Sequence, residues 1–221
     1  AAAAYDEGFY DDLVVPFMNV EEDNNIRRDT SLEKLSSLKP VFDRSGEGTM
    51  TAGNSTPLTD GAAALLLASE DWAKKKNLPV LAYLTFAKVA AVNFIDDEGL
   101  LMAPAYAVSE MLKEANLSLQ DFDFYEIHEA FAAQTIATLK AWQSAKFCRE
   151  RLGRDQAMGP IELAKLNVKG GSLAMGHPFA ATGARILATL AKLLGEKGSG
   201  RGLVSVCTAG GMGVTAILEA A

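Results

Sequence analysis

Histidine and cysteine are scarce in this 221-residue chain, with two of each. Cys148 and Cys207 are too few for a disulfide framework and point to a reducing compartment. No His-x-x-x-His, His-x-x-Glu or Cys-x-x-Cys spacing occurs, so no metal site is expected. No Gly-Lys-Ser/Thr follows a glycine run, which excludes a Walker-type phosphate loop. Gly210-Gly211-Met212-Gly213 lacks the glycine spacing of a dinucleotide fingerprint and leads into β-prone sequence rather than a helix. Leu65-Leu66-Leu67 is soon followed by Glu70 and Lys74, and no apolar run is long enough to span a bilayer. Positive charge is also short: 21 Lys and Arg against 28 Asp and Glu leave a net −7. With no basic stripe, nucleic acid is excluded as a partner, and an anionic ligand would have to be held by local donors.

What is present is ordinary soluble composition, 49% hydrophobic and 22% charged, enough for one large domain or one and a half smaller ones. Four alanines before Tyr5-Asp6-Glu7 read as an arbitrary beginning, without a basic leader or a secretory cleavage pattern. Residues 5–48 are polar and acidic, a surface excursion with one short helix at 31–38. Residues 49–57 start β-prone and run into a turn. Thr59-Asp60 would cap an almost wholly apolar, hence buried, helix over 61–76. Residues 80–93 read as a long strand, and Pro104 opens a helix with Val108, Met111, Leu112 and Ala115 on one face. A strand at 122–127 turns at His128 into a helix over 129–146. A helix at 184–194 ends at Gly195 and Gly198, and strands at 203–207 and 213–219 form a hairpin. Strands alternating with helices make the class α/β, with a mixed sheet sandwiched by helices.

Three motifs fall at strand ends or turns, where such sheets place ligand sites. His128 opens His128-Glu129-Ala130-Phe131-Ala132-Ala133-Gln134. At a helix N-terminus the dipole would disfavour the imidazolium, leaving a neutral donor for a developing oxyanion; the plainer role is an N-cap, with Glu129 in the first turn. His177 lies in Gly176-His177-Pro178-Phe179, between a glycine that frees the backbone and a proline that stiffens it, and can exchange a proton near neutral pH or simply bond the turn. Cys207 stands before Thr208-Ala209-Gly210-Gly211, whose backbone N–H groups can point at a ligand. Its thiol could be a nucleophile, an acid/base, or a buried structural group. Cys148, in a charged helix end, reads as structural.

Together these phrases, with Gly170-Gly171-Ser172-Leu173-Ala174-Met175-Gly176-His177-Pro178-Phe179-Ala180-Ala181-Thr182-Gly183, resemble the C-terminal half of thiolases. The resemblance implies that residues 1–48 end a loop domain, 49–77 are the last strand and helix of an N-terminal domain, and 78–221 are the C-terminal domain. His in place of Asn at 128, with Phe179 and Thr182, is similar to 3-ketoacyl-CoA thiolases of the trifunctional-enzyme β-subunit branch. By that resemblance His177 activates the attacking thiol, His128 and His177 hold an enolate oxyanion, and Cys207 is the acid/base on the acetyl carbon. The Ala209 N–H contributes to a second oxyanion hole, while Ser55, Thr56 and Phe131 contact substrate. Coenzyme A is a co-substrate rather than a bound cofactor. Acyl-CoA, a second copy of the chain in a dimer or tetramer, and a hydratase–dehydrogenase subunit are the implied partners. The compartment implied is bacterial cytoplasm, with mitochondrion or peroxisome as alternatives.

One departure is large. The family's acylated cysteine lies in an N-terminal segment that these residues do not include, and neither Cys148 nor Cys207 matches it. The chain is therefore expected to be part of a fatty-acid β-oxidation thiolase, inactive alone and with apolar surface exposed around 61–76 and residue 80. The alternatives are a truncated protein that binds acyl-CoA or a partner without turnover, and a scaffold that keeps the glycine motifs for packing.

Overall fold

The computed structural model describes residues 1–95 and 98–221. In chain order the elements are α1 (Ala2–Asp6), α2 (Leu32–Ser36), α3 (Glu70–Lys75), β1 (Ala82–Ala91), α4 (Ala103–Ala115), β2 (Phe124–Ile127), α5 (Ala132–Gln143), α6 (Ala145–Glu150), α7 (Ser172–Met175), α8 (Ala180–Lys197), β3 (Arg201–Thr208) and β4 (Met212–Ala220). The strands form one sheet in the order β1-β4-β3-β2. β2 and β3 are parallel, while β4 is antiparallel to both β3 and β1, so the sheet is mixed.

Alternation along the strands divides the core. Tyr125 and Ile127 of β2, Leu203 of β3 and Ile217 of β4 face α4 and α5, packing with Val108, Met111, Leu112 and Trp142. Val204, Ala216 and Leu218 face the other way, against Ile186, Leu190 and Leu194 of α8. The spacing of those three residues puts them on one side of a helix, which explains why α8 lies flat on the sheet. It ends at Gly198, whose φ of 70° supplies the left-handed cap. A third cluster departs from the expected surface excursion: Ala4, Phe9 and Tyr10 are buried against Met175 and Leu193.

Several boundaries differ from the sequence reading. The helix expected over 61–76 is only α3, capped by Ser69 rather than Thr59-Asp60; the Ser69 hydroxyl accepts from the Trp72 N–H at 3.4 Å. Leu66 and Leu67 are 72% and 71% exposed, so no packed face offsets the cost of nucleating a helix there. The helix expected over 129–146 begins at Ala132 and breaks at Ser144, which caps α6 by accepting from the Phe147 N–H. α8 starts at Ala180, four residues before the expected 184.

Candidate active site

Register brings two of the three motifs together. Ile127 pairs with Ser205 across the parallel β2 and β3, and the His128 N–H donates to the Ser205 carbonyl at 2.8 Å. His128 and Cys207 therefore emerge side by side at the carboxyl ends of adjacent parallel strands, the edge where open α/β sheets hold ligands. The third motif arrives from the loop before α8. Gly176 adopts φ 104°, and a Cβ there would sit 2.3 Å from Thr59 Oγ1, so only glycine admits this close turn. The His177 N–H then donates to Thr59 Oγ1 at 3.3 Å, and its ring lies 4.1 Å, centroid to centroid, from that of His128.

His128 is neither an N-cap nor on a helix dipole: the residue capping α5 is Phe131. Its imidazole is held neutral by other means. Burial, then the neighbouring His177 and the Arg185 guanidinium, pull its pKa down to about 3. The same causes, burial and then Arg185, lower that of His177. Each ring has one nitrogen anchored to a hydroxyl: His128 Nδ1 to Ser172 Oγ at 2.8 Å, His177 Nδ1 to Thr182 Oγ1 at 2.7 Å. His128 Nε2 is buried and, among the described residues, has no hydrogen-bond partner. Glu129, expected in a helix first turn, instead accepts from Asn167 Nδ2 at 2.6 Å and from the Leu173 N–H at the start of α7 at 3.2 Å. It ties the β2 end to the loop carrying His177.

Cys207 is buried, and burial pushes its thiol up to about 11, so at neutral pH it is a proton donor rather than a standing thiolate. It lines a cavity of about 10 Å³ with His128, Pro104, Ile127, Gln134, Thr135, Thr138 and Ser205. Ala209 lies exposed in the tight turn between β3 and β4, where Gly210 and Gly211 both take positive φ. Ser55 bridges to Phe131, and the Thr56 N–H and hydroxyl both donate to the Ala130 carbonyl, at 3.1 and 3.2 Å. These three residues thus sit on the segment following His128, with the Phe131 ring edge-on to Phe42. Cys148 is apart from the site, buried with its thiol toward the Ala141 and Trp142 carbonyls. Among the described residues no group of three His, Cys, Asp or Glu could hold a metal ion.

Sequence reasoning alone does not reveal Ser172, Arg185 and Glu126 as parts of the site, nor Thr182 as the anchor of His177. Glu126 is buried behind His128, and burial raises its carboxyl to about 8, partly countered by Arg185. Ser172 and Thr182 stand inside a motif, but nothing in the letters marks them as the anchors of the two rings, since a hydroxyl reveals its partner only in three dimensions.

A family model described as thiolase, C-terminal domain, matches residues 78–220, and one described as thiolase, N-terminal domain, matches residues 1–71. A 3-ketoacyl-CoA thiolase of Yersinia pestis (strain Pestoides F) is 47% identical over 225 residues, 99% of this chain and 51% of the relative. The dimeric peroxisomal thiolase of Saccharomyces cerevisiae superposes with a TM-score of 0.83 at 35% identity, covering 99% of this chain and 51% of that one. Human mitochondrial 3-ketoacyl-CoA thiolase in complex with CoA gives a TM-score of 0.77 at 33% identity, over 100% of this chain and 51% of the other. The chain spans about half the length of the relatives it matches. With its mixed sheet, its helices on both faces and family models matched along nearly all its length, this chain belongs to the thiolase family.

Proposed function

We propose that this chain is the C-terminal portion of a 3-ketoacyl-CoA thiolase of fatty-acid β-oxidation, transferring an acyl group to coenzyme A. The observation that carries the reading is the pairing of the His128 and His177 rings at 4.1 Å, with His128 sharing a cavity with buried Cys207. A neutral His177 can take the proton of the nucleophilic thiol and polarise the thioester oxygen. A neutral His128, beside it, can donate to the enolate oxygen of the departing acetyl group. Cys207, protonated at neutral pH, can deliver its proton to the acetyl carbon. The Ala209 N–H forms a second oxyanion hole, and Ser55, Thr56 and Phe131 contact substrate. By the same resemblance the cysteine that carries the acyl group lies outside these residues, since neither Cys148 nor Cys207 falls at its place in the family.

The rest of the reading follows the same resemblance. Residues 1–48 close a loop domain, 49–77 complete an N-terminal domain and 78–221 form the C-terminal domain. His128 with Phe179 and Thr182 supports the trifunctional-enzyme branch, hence a hydratase–dehydrogenase subunit as partner and a homodimer or tetramer as assembly. A bacterial relative supports a bacterial cytoplasm. The test is an assay of the full-length protein with 3-ketoacyl-CoA and coenzyme A. Acetyl-CoA and a shortened acyl-CoA should form in equal amounts; no product under saturating conditions overturns the reading.

A further inference from the structure

Arg185 lies on α8, one turn beyond Thr182, and reaches back to the segment before His177. Its Nη2 donates to Ser172 Oγ at 2.9 Å, and its Nη1 lies 3.4 Å from Met175 Sδ. Ser172 Oγ is also 2.8 Å from His128 Nδ1, in a fully buried contact. The three groups form a short chain whose polarity is decided by its first member. A guanidinium has only donors, so Ser172 Oγ must accept from it. Ser172 Oγ keeps a second lone pair, but its single hydrogen is buried and needs an acceptor, and among the described residues its other contact is His128 Nδ1.

We propose that Arg185 and Ser172 are positioning residues that fix His128 as the Nε2–H tautomer. The hydroxyl donates to Nδ1, so the ring proton must sit on Nε2, the buried nitrogen left without a partner. A cationic ring would put a proton on both nitrogens and reverse the Ser172 bond; the neutral form, favoured here by burial and by Arg185, keeps the relay in one sense. Had Ser172 faced an acidic side chain instead of Arg185, its hydroxyl could have turned away and accepted from Nδ1–H. His128 would then present a lone pair, useless to a developing oxyanion. The arrangement has a cost: among the described residues, Arg185 Nε and Glu126 Oε1 are buried without a hydrogen-bond partner. The position of the proton on His128 is independent of the reaction; that it serves an oxyanion rests on the thiolase reading.

The test is the ¹⁵N resonances of the His128 ring in the full-length protein at neutral pH, assigned by their loss in His128→Gln. An unprotonated Nδ1 and protonated Nε2 are expected; a protonated Nδ1 overturns the proposal. This measurement on the parent protein stands even where a variant fails to fold. Arg185→Met should mix the tautomers and lower kcat by roughly tenfold with KM nearly unchanged, less than the roughly 10²–10³ of losing an oxyanion donor outright. Arg185→Lys, still only a donor, should restore both readouts. Unchanged tautomer and kcat in Arg185→Met would remove Arg185 from the relay. Absence of thiolysis in the parent would defeat the functional reading while leaving the resonances to decide the tautomer.

Discussion

At the scale of single residues, the site is a set of groups kept uncharged by burial. Replacing His177 by Ala in the full-length protein should lower kcat for thiolysis by about 10²–10⁴, the worth of one positioned acid/base, with little change in thermal midpoint. A near-normal rate would take His177 out of the mechanism. Glu126 has a consequence for stability. In the unfolded chain it loses its proton near pH 4.5, whereas in the folded chain it keeps it to about pH 8. The folded state therefore binds more protons between those values, and its stability falls as pH rises through that window. His128 works in the opposite sense between about 3 and 6.5, since there the unfolded chain binds more protons. Glu126→Gln should thus flatten the decline of the urea midpoint between pH 6.5 and 8; parallel curves for parent and variant would mean that Glu126 is not protonated in the fold. His128, His177 and Cys207 were legible as a constellation because few chemistry-bearing side chains compete with them. Their anchors, Ser172, Thr182 and Arg185, were not, because common polar residues acquire a role only from the partner that folding brings within 3 Å.

At the scale of elements, close approach decides more than propensity does. A Cβ on Gly202 would lie 2.3 Å from Leu190 Cδ1, so β3 and α8 meet across a glycine. Gly202→Ala should cost about 1–3 kcal/mol, as overpacking does, read as a lower urea midpoint; an unchanged midpoint would show that Leu190 moves aside freely. The amphipathic α4 and α8 and the hairpin of β3 and β4 were readable from periodicity and glycine punctuation. The helix expected over 61–76 was not realised as such: Ala62 to Leu67 are all exposed, and a helix without a buried face is marginal. The break at Ser144 was hidden because a capping serine and a mid-helix serine look alike in a string of letters.

At the scale of the whole molecule, the edge strand β1 leaves several apolar side chains open. Leu84 is 48% and Val89 69% exposed, and elsewhere Leu66 and Leu67 are exposed too. Such surface is a liability for an isolated chain. The 221 residues by themselves should self-associate in light scattering and show no steady-state thiolysis. A clean monomer would speak against the exposed face, and clear turnover would mean that Cys148 or Cys207 accepts the acyl group.

The sequence alone determined the alternation of strands and helices, and the three motifs and their order. These are local properties, written in spacing and composition. Only the tertiary structure decided that parallel pairing of β2 with β3 sets His128 beside Cys207, that Phe9 and Tyr10 pack with Leu193 of α8, and that Arg185 faces Ser172. Those facts join residues far apart in the chain, and it is burial away from water that gives them their chemical force.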